Sequence, residues 1–174
     1  MRLRFVLKPD KESSALRDGT VDLETGVVGT TIGPEVRTQL LFRDVFIGVV
    51  RMGHPLSHGE ITPTRYATGR HIFVSRRGTD DGPIDAALKS VGLERDIATI
   101  VGGFSNAIAL TRGSDLIASF PERPTAGLLA GMHTVPLPVP GLPNTVPFLA
   151  APRSHPVPAP ASPSPAAPTT VLPP

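Results

Sequence analysis

The chain has 174 residues, which is enough for one domain or two small lobes. Hydrophobic residues make up 40% of it and charged residues 18%, so the part before residue 140 can build a core of the kind found in helix-flanked parallel sheets. The absence of cysteine excludes disulfides and thiolate metal sites, and a net charge of +2 neither requires nor excludes a nucleic-acid partner.

The first 50 residues show a strand-rich pattern. Alternating basic and apolar residues predict a strand over 2–7, a helical turn follows at 13–17, and a second strand is predicted over 21–29. These three elements predict a β-α-β unit. Two further strands are predicted at 36–42 and 45–50, and the second of them is apolar on both faces, as a central strand is.

From residue 60 onward, predicted strands alternate with predicted helices. Asp80, Asp81 and Pro83 form a typical helix start, and this helix should end at Gly92. Such alternation with short loops predicts an α/β fold with parallel sheets. The other predicted elements are helical segments at 62–66, 104–110 and 121–131, and strands at 71–74, 97–101 and 115–120.

The composition changes after Val135. Fourteen of the 21 prolines lie from Pro136 onward, and proline cannot donate a backbone hydrogen bond to a sheet or helix. We therefore predict a Pro/Ala-rich, disordered C-terminal tail over 141–174, outside the folded core.

Membrane segments and a signal peptide are not expected. No segment approaches the roughly 20 apolar residues that a transmembrane helix needs. Charged residues from Lys8 to Glu12 cut the apolar start short, which argues against a signal peptide. We expect a cytoplasmic protein without a membrane partner.

Ser105 is the candidate nucleophile of the chain. The segment from Gly103 to Ala107 lies at a predicted strand–turn–helix junction, where the serine of a G-x-S-x-G motif lies, and Asp115 and His133 follow in hydrolase order. The motif's last glycine is Ala107, Asp115 begins the very next strand, and no Gly-rich oxyanion segment precedes the serine. We therefore expect Ser105 to be a first-turn residue beside a ligand cleft, with no catalytic residue in the chain.

His54 and His58 have the spacing of two metal ligands on one helix face. Pro55 and Gly59 favour a turn over a helix, and only Glu60 is close enough in sequence to complete a site. Because a catalytic zinc needs three protein ligands, we expect no metal and no other cofactor, and a solvent-facing turn instead.

Three loops that follow predicted strands suit a small ligand. In open α/β sheets, ligands bind outside the carboxyl ends of strands, and free N–H groups at a helix start suit an anion such as a carboxylate. We predict a ligand cleft there, with a solvated basic turn as the alternative for Arg76 and Arg77. The loops are Gly29-Thr30-Thr31, Ser75-Arg76-Arg77-Gly78 and Gly102-Gly103.

Four stretches together resemble the effector-binding domain of LysR-type transcriptional regulators, over about residues 2–140. The D-G-x-x-D-L pattern and the G-H-P-L turn are each moderately specific for this family. In this order and at these separations, they are a strong indication of it. The stretches are 16–23, the strand end at Val49-Val50 with Gly53-His54-Pro55-Leu56, Val101-Gly102-Gly103-Phe104, and 114–118 running into Pro121-Glu122-Arg123.

The resemblance implies a fold like that of type-2 periplasmic binding proteins, in which two α/β lobes are joined by crossover strands and a small effector binds between them. It implies a partial first lobe over 1–51, a second lobe over 52–134 and a return crossover over 135–140. Effector contacts are implied at Gly29, Thr30, Ser75, Arg76, Gly103, Phe104 and Ser105.

The chain also departs from the family pattern. The winged helix-turn-helix and the first strand and helix of the first lobe do not precede it, so it looks truncated. Thr25 stands where an apolar strand residue is usual. The tail over 141–174 replaces a return strand and a closing helix, and we hypothesise that a reading-frame change near Gly141 produced it, which sequencing of the coding DNA would test.

The function implied by the resemblance is ligand sensing in a LysR-type transcriptional regulator, without enzymatic activity. The expected partner is a small-molecule effector, with a carboxylic acid as the chemical class. DNA would be bound only through the absent helix-turn-helix, and the intact regulator would be a homo-oligomer. Two alternatives stay open: a free-standing solute-binding protein of the same fold, which a secretory signal on the full gene product would favour, and a small serine hydrolase using Ser105.

Overall fold

A computed structural model describes residues 2–6, 14–27, 36–75, 81–139, 141–142 and 147–152, the last of these as backbone alone. Its helices are α1 Ser14–Arg17, α2 Pro63–Ala67, α3 Pro83–Lys89, α4 Phe104–Arg112 and α5 Glu122–Thr125. Its strands are β1 Glu24–Val27, β2 Val36–Leu40, β3 Phe46–Arg51, β4 Arg70–Val74, β5 Asp96–Val101, β6 Ile117–Pro121, β7 Met132–Pro136 and β8 Pro147–Pro152. Two 3₁₀ turns lie at Pro55–Ser57 and Ala126–Leu128.

The strands form two sheets. The small sheet has the order β1-β8-β2, and the large sheet has the order β5-β4-β6-β3-β7. Residues 41–45, between β2 and β3, lead the chain from the small sheet into the large one, and residues 137–146 lead it back to β8. These two connections agree with the predicted architecture of two α/β lobes joined by crossovers.

The predicted parallel pairing is confirmed for part of the large sheet only. Strand β4 pairs in parallel with β5 and β6, whereas β3 runs antiparallel to β6 and β7. The pairs Phe46↔Pro121 and Ile47↔Pro136 show that β3 starts at the edge where β6 and β7 end. The prediction of parallel sheets throughout is therefore wrong, because the chain enters the large sheet from the edge at which its other strands finish.

The predicted tail over 141–174 is wrong for residues 147–152. Strand β8 lies between β1 and β2 and pairs antiparallel with both. Proline stands only at the two ends of this strand, Pro147 and Pro152, and the four residues between them keep their backbone N–H donors. The return strand that the frame-change hypothesis took to be lost is present, and residues 153–174 lie outside the described part of the chain.

The predicted β-α-β unit at the start of the chain is also wrong. Residues 2–6 form no strand, and the side chains of Leu3, Phe5 and Val6 are exposed. Alternation alone does not form a strand when no neighbouring element covers its apolar face. The predicted helical turn and second strand are confirmed as α1 and β1, with β1 ending at Val27 in the described residues.

The large sheet carries an apolar core on each face, and β3 contributes to both. Val50 packs with Tyr66, Leu88 and the other members of one cluster, on the side of α2 and α3. Val49 packs with Ile108 and the other members of a second cluster, on the side of α4. Both valines are fully buried, as the prediction of a central, two-sided apolar strand required.

Arg95 and Asp85 form a buried ion pair beside the first cluster. Arg95 Nε and Nη2 donate to the two carboxylate oxygens over 2.6 and 2.9 Å, and Asp85 Oδ2 also accepts from the backbone N–H of Gly82 over 2.9 Å. The carboxylate therefore ties the start of α3 to the residue that precedes β5. Removing one partner of such a pair leaves an uncompensated buried charge.

His71 on β4 is buried next to this pair. Its Nε2 donates to the carbonyl oxygen of Tyr66 over 2.9 Å, and its ring meets the Tyr66 ring edge-on. Burial, together with the positive charge of Arg95, lowers the pKa of His71 from 6.5 to about 4. His71 is therefore neutral in the folded protein at physiological pH.

The His71 environment predicts a pH-dependent stability. Below pH 6.5 His71 becomes protonated in the unfolded chain, whereas in the folded chain its lowered pKa keeps it neutral down to about pH 4. The free energy of unfolding should fall by about 2 kcal/mol between pH 7 and pH 5 through this group alone. Urea denaturation at the two pH values measures it, and this part should vanish in His71→Gln and persist in the control His58→Gln, a change at an exposed residue. Equal pH dependence in the wild type and in His71→Gln would contradict it.

Gly48 permits the close pairing of β3 and β7. A Cβ atom at this position would lie 2.6 Å from Cγ2 of Val135, which is itself buried and stiff. We expect Gly48→Ala to destabilise the fold by about 1–3 kcal/mol through overpacking. The control Gly113→Ala adds a Cβ that meets nothing within 4 Å, and its urea midpoint should stay near the wild-type value. A Gly48→Ala midpoint equal to that of Gly113→Ala would show that the contact relaxes freely.

Candidate functional site

The carboxyl ends of three neighbouring parallel strands meet at one edge of the large sheet, called the carboxyl edge here. Strand β4 ends at Val74, β5 at Val101 and β6 at Pro121. The backbone N–H of Ser75 donates to the carbonyl oxygen of Val101 over 2.9 Å. The loop after β4 therefore begins directly beside the Gly102-Gly103 turn, as the sequence predicted.

Helix α4 starts at this edge without a side-chain cap. Gly103 is its N-cap residue in an extended conformation, and the first intrahelical bond runs from the N–H of Ala107 to the carbonyl oxygen of Gly103 over 3.2 Å. The N–H groups of the first turn have no acceptor within the helix. Ser105 is exposed there, so an anion can approach these donors from solvent.

An aromatic pair lies beneath the helix start. The Phe104 ring lies 5.5 Å from the Phe120 ring, centroid to centroid, and Phe120 is fully buried in β6. Phe104 keeps 36% of its surface exposed. The carboxyl edge thus offers an apolar face next to free backbone donors, a combination that suits a ring or chain bearing an acidic group.

Four of the seven residues predicted to contact an effector lie at one edge of the large sheet. Ser75, Gly103, Phe104 and Ser105 all lie at the carboxyl edge. The other three, Gly29, Thr30 and Arg76, lie outside the described residues.

Sequence reasoning missed three residues at the same edge. The backbone N–H of Arg123, at the start of α5, donates to the carboxylate of Asp44, and the Arg123 guanidinium carbon lies 5.3 Å above the ring centre of Phe42. In the sequence, the charged residues Arg43 and Asp44 indicate only a break between the predicted strands at 36–42 and 45–50. An acidic residue between two apolar strands was the available signal, since a buried acid needs donors around it.

The Ser105, Asp115 and His133 arrangement is not a catalytic triad. Ser105 lies in the first turn of α4, and Asp115 follows the last helical residue, Arg112, which lies about 10 Å further along the helix axis. Asp115 accepts hydrogen bonds from Arg51 instead, and His133 lies opposite Val50 near that far edge. No base can reach the Ser105 hydroxyl from these positions.

The two histidines at metal-ligand spacing differ: His54 has a structural role, and His58 is exposed. His54 is buried, and its Nδ1 accepts from the N–H of Leu56 over 3.0 Å while its Nε2 donates to the carbonyl oxygen of Asp115 over 3.2 Å. The expectation of a solvent-facing turn is therefore wrong for His54, whose ring caps the 3₁₀ turn, and fits His58, which is exposed. Among the described residues, no group of three or more possible ligands could hold a metal ion.

A cavity lies at the start of β5, at the end of this strand that is away from the carboxyl edge. It has a volume of about 210 Å³. Of its two cations, Arg95 forms the buried pair with Asp85, and Lys89 lies 3.7 Å from Asp81 in an exposed pair. The lining residues are Asp81, Asp85, Lys89, Glu94, Arg95 and Ile97.

The sequence model of a protein family, the LysR substrate-binding domain, matches residues 2–163 of this chain. The chain belongs to this family. The match extends over the small sheet as well as the large one, including β8. Across the described part of the chain, no helix combines the length and the apolar character that crossing a membrane would require.

Curated relatives and solved structures agree with the family. The chain is 31% identical over 134 residues to the HTH-type transcriptional activator NahR of Pseudomonas putida, covering 71% of this chain and 43% of NahR. It is 28% identical over 108 residues to the activator NagR of a Ralstonia species, covering 59% of this chain and 36% of NagR. The chain thus spans less than half the length of either relative.

Among solved structures, the probable transcriptional regulator PA0477 from Pseudomonas aeruginosa superposes with a TM-score of 0.75 at 28% identity, over 87% of this chain and 52% of that one. The regulatory domain of MexT from the same species gives 0.66 at 20% identity, over 80% and 66%, which shows the shared fold. The chain is therefore a substrate-binding domain of the LysR family, and the curated relatives that it matches are transcriptional activators.

The separation of Ser105 from Asp115 predicts the absence of esterase activity. Hydrolysis of p-nitrophenyl acetate by the wild-type chain should equal that of Ser105→Ala, since neither Asp115 nor His133 is placed to activate the hydroxyl. Colorimetric assay of both proteins at equal concentration measures it. A rate that is clearly higher in the wild type than in Ser105→Ala would contradict the structural assignment.

Proposed function

We propose that this chain senses a small carboxylate effector at the carboxyl edge of its large sheet, on behalf of a LysR-type transcriptional regulator. The observation that carries the proposal is that the loop after β4 begins, at Ser75, beside the end of β5, from which the uncapped helix α4 starts after two further residues. Gly29, Thr30 and Arg76 are proposed to complete the cleft from the loops in which they lie.

The chemistry of the edge favours a carboxylate. Unpaired N–H groups and the positive end of a nine-residue helix attract an anion, while Phe104 offers an apolar surface to the rest of the molecule. Two structural neighbours, which at 19% and 17% identity show the fold alone, are the BenM effector-binding domain with its effector benzoate and that of QuiR with shikimate. Both of those ligands are carboxylates.

The division into lobes is proposed from the two sheets. We propose that the small sheet belongs to the first lobe and the large sheet to the second, which moves the expected boundary from residue 51 to the connection over 41–45 and starts the return crossover after β7, at residue 137. Effector binding between the lobes shifts the population of their arrangements, because a ligand favours the arrangement that it contacts best.

The remaining partners belong to the whole regulator. In this proposal the intact protein is a cytoplasmic homo-oligomer that binds promoter DNA through a helix-turn-helix. That helix-turn-helix would lie in a region corresponding to the part of the relatives that this chain does not cover. One structural neighbour, full-length CbnR, was solved in complex with its target DNA. We infer that this chain alone does not bind DNA sequence-specifically.

A thermal-shift experiment tests the carboxylate site. Benzoate, shikimate and a series of other aromatic and aliphatic acids are titrated into the protein. At least one acid should raise the melting temperature, because a ligand at 100 times its Kd stabilises the native state by about 2.7 kcal/mol. The neutral analogue benzamide should have no effect.

Two matched variants locate the binding site in the same assay. Ser105→Asp places a negative charge among the free N–H donors and should abolish the shift. Thr64→Asp makes a similar charge change at an exposed position on α2 and should preserve it. No shift with any acid, or an equal shift in Ser105→Asp, would overturn the proposal.

A further inference from the structure

The crossover segment between the two sheets carries a buried carboxylate. Asp44 is only 3% exposed. Its Oδ1 accepts from the N–H of Val45 over 2.9 Å, and both of its oxygens accept from the N–H of Arg123, over 3.2 and 3.1 Å. Burying a carboxylate is costly unless donors compensate it, so these two backbone N–H groups are what holds Asp44 in place.

Neighbouring contacts join the same two segments. The N–H of Glu122 donates to the carbonyl oxygen of Val45 over 3.0 Å, and Phe46 pairs with Pro121 in the large sheet. The Arg123 guanidinium lies over the Phe42 ring, a cation–π contact. Residues 42–46 are thus bound to 121–123 by backbone, carboxylate and aromatic contacts together.

The second crossover is held differently. Val139 is buried and Leu137 is partly buried against the apolar cluster around Val50 and Leu56. Apolar packing has no preferred direction, whereas a hydrogen bond between a carboxylate and an N–H group fixes both distance and angle. Among the residues that the structure describes, the first crossover is therefore held by directional hydrogen bonds, and Asp44 supplies the side chain that accepts them.

We propose that Asp44 is a positioning residue, which clamps the first crossover onto the start of α5 and thereby sets the arrangement of the small sheet relative to the large sheet. The clamp lies at the carboxyl edge, where β6 ends and β3 begins. The effector-contact loops Ser75 and Gly103–Ser105 share that edge. The clamp therefore lies at the same edge of the sheet as the proposed effector contacts.

The clamp goes beyond effector sensing and is testable without any ligand. Because the chain has no cysteine, the double substitution Thr38→Cys and Ala86→Cys places one spin label on β2 and one on α3, both at exposed positions. Pulsed dipolar EPR then reports the distance between the two sheets. We expect a narrow distance distribution in this labelled parent.

In the labelled parent, Asp44→Ala should broaden this distribution or displace it by about 2 Å or more, the scale of a lobe rearrangement. Asp44→Asn keeps one oxygen that can accept from both Val45 and Arg123, and should restore the parent distribution. The control Asp96→Ala removes an acid that is 65% exposed in its pair with Arg70, and should leave the distribution unchanged.

An unchanged distribution in Asp44→Ala, or an equal change in Asp96→Ala, would overturn the clamp. Hydrogen exchange of the unsubstituted chain gives a second readout that does not depend on how a variant folds. The Arg123 amide should exchange far more slowly than an open amide, and exchange at the open rate would also overturn it. A negative thermal-shift screen together with a positive EPR result would reject the carboxylate effector and keep the clamp.

Discussion

The shared direction of β4, β5 and β6 is the constraint on which the rest of this domain depends. Parallel neighbours must end at the same edge, so the loop after β4, the start of α4 and the start of α5 are brought together although they are far apart in sequence. At that edge the uncapped turn of α4 offers N–H donors and Phe104 offers an apolar face. Strand direction and helix polarity together are the basis of the proposed binding site for a small anion.

The antiparallel strand β3 connects this site to the rest of the chain. It enters at the carboxyl edge and packs closely against β7 at Gly48, so both crossovers lie beside the same loops. One connection is held by directional hydrogen bonds to Asp44 and the other by apolar packing of Val139. The proposed ligand contacts and both connections between the sheets therefore lie in one small region.

Strands β3 to β6 of the large sheet could be predicted from the sequence, because they are short apolar runs between turn residues, and the helices α3 and α4 have clear starts at Pro83 and Gly103. Strand β7 was not predicted. Strand direction could not be predicted, since a pattern along one strand does not specify its neighbour. Proline content concealed β8, whose prolines stand only at its ends. Asp44 was missed because its donor, the N–H of Arg123, lies 79 residues away.

The most direct test of carboxylate sensing at the carboxyl edge is a titration of the ¹⁵N-labelled chain with benzoate, followed by backbone amide NMR. The largest shift changes are expected on Ser75 and on Gly103, Phe104 and Ser105, where free donors meet the aromatic face. Shift changes confined to the cavity beside Arg95 and Asp85, or saturable binding that leaves the start of α4 unaffected, would contradict it.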